Sequence, residues 1–219
     1  MRREWMIPAG LVVLALVPTL AGAVRVAELA GDPVVTPANA RFVAEPLPVL
    51  LHVVGAVIYA LLGAFQFAPG FRRRHRRWHR MAGGLLIPAG FLVAGTGLWM
   101  TATFPWAVGD GLAVYLERLL FGTMMLVSLI LGLDAIRRRA FADHGAWMVR
   151  AYAIGMGAGT QVLTHLPWAV LMDAPPDGAP RAVMMGLGWV LNLVVAEWVI
   201  RRGTVQSRRL VPTLTTGAA

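Results

Sequence analysis

Four histidines stand inside or beside long apolar runs, and imidazole is the side chain in this sequence best suited to hold a metal or cofactor. The 219 residues include no cysteine, and all 20 basic residues are arginine. Disulfides, thiolate metal sites, iron–sulfur clusters and lysine Schiff bases are therefore excluded. His52 falls about one turn inside one end of the second apolar run, and His165 roughly two turns inside the corresponding end of the fifth. Neutral imidazole is a haem axial ligand, so His52 and His165 are candidate ligands of a haem b between two helices. His79 and His144, at the opposite ends, are candidates for a second. His144 and His165 are 21 residues apart, which is ~31 Å of helix and about 60° around its axis, close enough to share one face. Gln161 lies one turn from His165, with Gly155, Gly157 and Gly159 nearby, and Gly55, Tyr59, Gly63 and Gln66 share a broad face with His52. Small residues beside a polar stripe admit either a flat cofactor or a neighbouring helix held by hydrogen bonds.

A second polar group collects at the other end of the same helices: Asp134, Asp143, His144, Arg150, Tyr152 and Glu197. A charge at the centre of a bilayer costs ~2.5–3.5 kcal/mol on insertion scales. Arg150 and Glu197 are therefore expected either to pair or to snorkel separately to the interface. Asn192 lies deeper and needs an interhelical partner. Glu117 and Arg118 fall at a helix end where solvation accounts for them. The eleven methionines are scattered and form no thioether copper pattern. No phosphate-cradling loop, zincin motif or nucleophile elbow is present, so hydrolase chemistry has no support.

The elements that must position these residues are apolar helices. Hydrophobic residues make up 58% of the chain and charged residues 14%, a surplus that one soluble core of this size cannot bury. Six runs reach the roughly 20 residues a membrane-crossing helix needs, near 6–24, 48–67, 81–103, 114–136, 147–171 and 182–200. Their continuity argues against alternating barrel strands. The expected fold is an all-α, polytopic transmembrane bundle forming one membrane domain, 1–203, followed by a polar and disordered tail, 204–219. The first run, with Ala21-Gly22-Ala23 after it, also resembles a cleaved secretory signal, but its apolar core exceeds the usual ~7–15 residues, which favours a retained helix.

The formal charge of +9 would suggest nucleic acid in a soluble protein, but the arginines cluster between the runs and act as topology signals. Arg25, Arg41, Arg118 and Arg181 fall on one side, and the other sixteen on the opposite side. That bias places both termini in the cytoplasm of a bacterial inner-membrane protein, with the lipid bilayer as its partner.

His52-x-x-Gly55, Gly63-Ala64-Phe65-Gln66-Phe67, His79-Arg80-x-x-Gly83 and Asp143-His144-x-x-Trp147-Met148-x-Arg150-x-Tyr152 together resemble the bacterial membrane proteins grouped as domain of unknown function 2306. The resemblance runs from the second helix through the sixth and implies a membrane-embedded fold without an assigned reaction. Two positions depart from that pattern: Gly83-Gly84-Leu85-Leu86 stands where Gly-Arg-x-Tyr is expected, and Thr160-Gln161-Val162 where an arginine is expected. The retained His79, His144 and Arg150 point to the cytoplasmic group as functional.

The expected function is a helical bundle whose polar interior serves a cofactor or small solute. Transmembrane electron transfer through haem b is the leading form, with a soluble redox partner or a quinone. One alternative is a transporter or channel in which His52, Gln161 and His165 line an outer vestibule and Arg150 with Glu197 gates the inner side, although no inverted repeat is evident. Another is a non-catalytic accessory subunit. The arginine bias itself is directly testable: reporter fusions at Arg74 and Arg138 should read cytoplasmic and fusions at Asp110 and Ala179 periplasmic, and the reverse pattern would overturn the orientation.

Overall fold

The computed structural model describes residues 2–209, which are helical without strands. The order is α1 (Arg2–Ala30), α2 (Ala40–Ala44), α3 (Pro46–Val57), α4 (Pro69–Arg74), α5 (Arg76–Thr103), α6 (Leu112–Arg137), α7 (Phe141–Gly155), α8 (Gly157–Leu171) and α9 (Gly178–Arg209). A π turn, Ile58–Leu62, and a 3-10 turn, Phe65–Phe67, continue α3 toward α4. Among the described residues five continuous helical stretches are long and apolar enough to cross a membrane: Glu4–Ala30, Pro46–Phe67, Arg76–Thr103, Leu112–Arg137 and Gly178–Gly203. Many of their large apolar side chains face outward, among them Val13, Leu20, Leu116, Leu120, Val194 and Val195. An exposed surface of this kind belongs in lipid. The chain is therefore an integral membrane protein of all-α fold.

The expected fifth helix, 147–171, is not continuous. It begins earlier, at Phe141, and breaks at Met156 into α7 and α8, each of 15 residues. The Gly-Met-Gly-Ala-Gly run at 155–159 has weak helix propensity, and large neighbours occupy the space its side chains would need. The indole of Trp189 lies where a Cβ on Gly157 would stand, and the Leu14 backbone lies against Gly159. The two halves nevertheless run together along α9. Arg150 meets Glu197, the Ala153 carbonyl meets Asn192, Gln161 meets Met185 and Thr164 meets Met184. This steady antiparallel register makes α7 and α8 one interrupted traverse of the bundle.

Several ends also shift from their sequence-based positions. α9 runs through Arg209, so the polar segment from 204 begins as helix, and residues 210–219 lie outside those described. α6 turns into α7 through Arg139, which adopts a left-handed φ of 60°. The Ala140 N–H then reaches the Ala135 carbonyl at 2.9 Å, the six-to-one bond of a Schellman end where glycine is usual. At the other end of the bundle two glycines with positive φ, Gly109 (81°) and Gly178 (50°), join the connection before α6 to the one before α9 by a 3.1 Å hydrogen bond. Such φ values are strained for other residues.

The centre is sealed by aromatic and small residues. Tyr59, Tyr152, Phe121, Met125, Leu129 and Leu86 are buried together. Tyr59 and Tyr152 pack with ring centroids 5.6 Å apart, and the Tyr152 hydroxyl donates to the Ala60 carbonyl in the π turn at 2.7 Å. Phe121 stacks on Trp189 at 4.7 Å. Asn192 spans the break in the fifth traverse: its Nδ2 donates to the Ala153 carbonyl in α7 at 3.0 Å, and its Oδ1 accepts from the Thr160 hydroxyl in α8 at 2.7 Å. Asn192→Leu keeps the shape but removes both bonds, and a lost membrane hydrogen bond costs ~0.6–2 kcal/mol. Thermal melting in detergent should fall by several degrees for Asn192→Leu and change little for Gly84→Ala, whose added methyl meets nothing within 4 Å. An unchanged Asn192→Leu melting temperature would show that the asparagine does not support the break.

Candidate functional site

The irregular points of three helices face one another. Pro18 of α1, Ala60 of the π turn and Met156 at the break all line a cavity of about 180 Å³. Its remaining wall is mostly small: Ala15, Gly22, Ala56, Gly155, Ala158 and Gly159 stand beside Val53 and Val57. Thr19 and His52 supply its polar side chains. π turns and helix breaks are frequent at functional sites because they redirect backbone and side chains locally. The volume lies below the ~300–1,000 Å³ typical of pockets for drug-sized ligands, so it suits a small molecule or one end of a longer one.

The hydrogen bonds fix the tautomer of His52. The Thr96 hydroxyl donates its proton to the Leu92 carbonyl at 2.6 Å, so its oxygen is left to accept from His52 Nδ1–H at 3.0 Å. The Nε2 atom then carries the lone pair. His165 Nδ1 faces the Gln161 carbonyl of its own helix at 2.7 Å, and His144 Nδ1 faces the Gly132 carbonyl at 2.8 Å. A carbonyl can only accept, so neutral His165 and His144 likewise present Nε2 as an acceptor. His79 Nδ1 hydrogen-bonds Gln66 Oε1.

These contacts sort the expected site residues. Arg150 and Glu197 meet in a bidentate pair, Nε to Oε1 at 2.5 Å and Nη2 to Oε2 at 3.0 Å, and the guanidinium also lies 4.6 Å over the Trp147 ring. Asn192 joins Thr160, and Gln161 donates to the Met185 carbonyl at 3.1 Å. His79 and His144 lie within electrostatic reach of each other. Among the described residues no hydrogen bond joins His52 to His165: His52 lines the cavity and takes Thr96, while His165 bonds the Gln161 carbonyl of its own helix. The expected cytoplasmic group divides into separate contacts. Asp134 pairs with Arg138 one turn away, His144 bonds backbone, Tyr152 enters the core and Arg150 takes Glu197. Among the described residues no three His, Asp or Glu side chains converge as a metal-ion site.

Sequence reasoning did not identify Thr96 or Gln66 as histidine partners, because nothing in their spacing distinguishes them from other polar residues on a helix. It also left Arg118 as a solvated residue. Arg118 instead closes on Asp110 at 2.5 and 3.3 Å, and Arg181 reaches the same carboxylate at 2.7 Å. The Asp110 side chain is 2% exposed. Its burial opposes ionisation, but the hydrogen bonds and charges of Arg118 and Arg181 prevail and hold its carboxyl below the ordinary aspartate value.

Arg150 and Glu197 should behave as a coupled pair. Each single alanine replacement is expected to lower the melting temperature, and the double replacement to lower it by less than the sum, since neither residue is then left with an unmatched partner. Partial exposure of both side chains, 25% for Arg150 and 36% for Glu197, keeps the coupling modest. Strict additivity in this double-mutant cycle would show that the pair contributes no interaction energy.

No curated protein and no solved structure matches the chain. The model of a family described as predicted membrane protein, DUF2306, matches residues 49–200, from α3 into α9. With that match extending over more than half of its length, the chain belongs to the DUF2306 family of predicted membrane proteins.

Proposed function

We propose that the protein binds a small, neutral, lipid-soluble molecule ending in a hydroxyl within the cavity between α1, α3 and the α7/α8 break. The observation that carries this reading is the meeting of Pro18, the π turn and Met156 around one cavity whose apolar wall includes His52. An apolar pocket with few polar groups favours a molecule that partitions from lipid, and the polar groups orient it. His52 Nε2 supplies a lone pair, so the complementary end of the ligand is a hydrogen-bond donor. A quinol belongs to this chemical class, which keeps a role in membrane electron transfer within the proposal.

Haem binding is a second reading, and the inner end favours it over the outer one. His79 and His144 lie within electrostatic reach of each other, each with Nδ1 held by an oxygen atom. Such bonds orient metal-ligating imidazoles and leave Nε2 to the metal. The buried Gln66 Nε2, next to His79, has no partner among the described residues.

Extraction of protein purified from its native membrane, followed by mass spectrometry, separates the readings. A small lipid-soluble hydroxyl compound should be recovered in about stoichiometric amount. Ala56→Trp, which fills the cavity, should reduce it at least tenfold, and His52→Ala should reduce it less. Equal recovery from folded Ala56→Trp protein would sink the cavity reading. A reduced-minus-oxidised absorbance band lost on His79→Ala or His144→Ala would instead establish the haem reading.

A further inference from the structure

The four arginines that depart from the charge bias do not lie apart from one another. Arg25 comes from the end of α1, Arg41 from α2, Arg118 from α6 and Arg181 from α9, and the other three act electrostatically on Arg41. Among the described residues, the neighbouring carboxylates that form ion pairs with them are two. Asp110 is shared by Arg118 and Arg181, and Glu28 is taken by Arg25. Arg41 makes no ion pair among the described residues. Its Nη1 donates to the Pro105 carbonyl at 3.3 Å, and its guanidinium lies 4.6 Å from the Phe42 ring centre. Arg25 lies over that same ring at 4.9 Å.

A cavity of about 20 Å³ opens between these charges. It is lined by Arg41, Arg118, Thr101, Tyr115 and Trp106, with Asp110 at its wall. That space admits about one or two oxygen atoms. Arg41 and Arg118 come from different elements and face it together, an arrangement suited to holding one oxygen of an oxyanion by charge-assisted hydrogen bonds. The surrounding positive charge bears on Arg41 itself: burial, and then repulsion from Arg118, lower its affinity for a proton. An anion in the cavity relieves that repulsion.

We propose that this cavity is a binding site for a phosphate group, with Arg41 and Arg118 holding one oxygen and the rest of the group at the mouth. The site adjoins the connections between helices long and apolar enough to cross a membrane, and such connections meet the headgroup region of a bilayer. A headgroup phosphate and a free phosphate ion present the same oxygens, so the source is decided by measurement. This site is separate from the His52 cavity and does not depend on its occupant.

The test is thermal melting of the purified full-length protein in a neutral detergent at constant ionic strength. Inorganic phosphate replaces chloride in one arm, and phosphatidylglycerol is titrated into the micelles in the other. At saturating concentrations each tenfold increase should raise the melting temperature by about 3–5 °C. A rise with inorganic phosphate identifies a free-ion site, and a rise with phosphatidylglycerol alone identifies a lipid site. Arg41→Gln should abolish the rise while leaving the melting temperature in chloride unchanged or higher, because the variant loses a repelled charge. Arg41→Lys, which keeps the charge without the planar fork, should reduce the rise and serves if Arg41→Gln cannot be recovered folded. Absence of a rise in both arms for the wild type, or equal rises for wild type and Arg41 variants, would overturn the proposal.

Discussion

A membrane-embedded helix that stops hydrogen-bonding to itself must satisfy its backbone from a neighbour, and Asn192 meets that constraint at the break in the fifth traverse. Ala153 would pair with Gly157 in a continuous helix. Here its carbonyl accepts from the Asn192 side chain in α9, while the same carboxamide takes the Thr160 hydroxyl beyond the break. An unmet backbone group in hydrocarbon costs several kcal/mol. One side chain thus holds both halves against α9 and lets α8 lean toward α1. The contact of Trp189 with Gly157 and that of Leu14 with Gly159 occupy the same stretch.

The cavity is a consequence of that break. Straight helices with interdigitated side chains leave few voids. In this bundle Pro18 removes a backbone donor from α1, the π turn adds a residue to a turn of α3, and Met156 separates α7 from α8. Tyr152 links two of the irregularities, since it packs on Tyr59 and donates to Ala60. The aromatic core therefore supports the open space beside it. His52 lines that space with its ring held by Thr96, so the orientation of the imidazole is defined.

The two ends of the bundle treat charge differently. At one end Arg72, Arg73, Arg74, Arg76 and Arg77 crowd a short connection, and Trp5, Phe65, Phe71 and Trp78 form an aromatic group beside them. That pattern fits an interface with headgroups and water. At the other end fewer arginines are present, and two of them, Arg118 and Arg181, close on the buried Asp110. Gly109 and Gly178 bring the two loops together beside that carboxylate.

The sequence by itself determined the all-α membrane fold, because apolar runs of membrane-spanning length have no soluble alternative and a backbone in lipid has few ways to satisfy itself. It also brought Arg150 and Glu197 into consideration as a pair, since both carry charge at matching depth near helix ends. It did not give the break at Met156 as a site: glycines in a helix are equally compatible with close packing, and only the positions of Trp189, Leu14 and Asn192 turn those glycines into an interruption. Nor did periodicity show that His52 takes Thr96 while His165 bonds its own helix. Helical spacing fixes which residues share a face, whereas partner choice depends on how neighbouring helices are rotated and offset. Arg25, Arg41, Arg118 and Arg181 illustrate the same limit. The sequence counted them as exceptions to a charge bias, and the tertiary structure alone closed Arg118 and Arg181 on Asp110 and set Arg25 and Arg41 against the Phe42 ring, because loop closure brings together charges that are far apart along the chain.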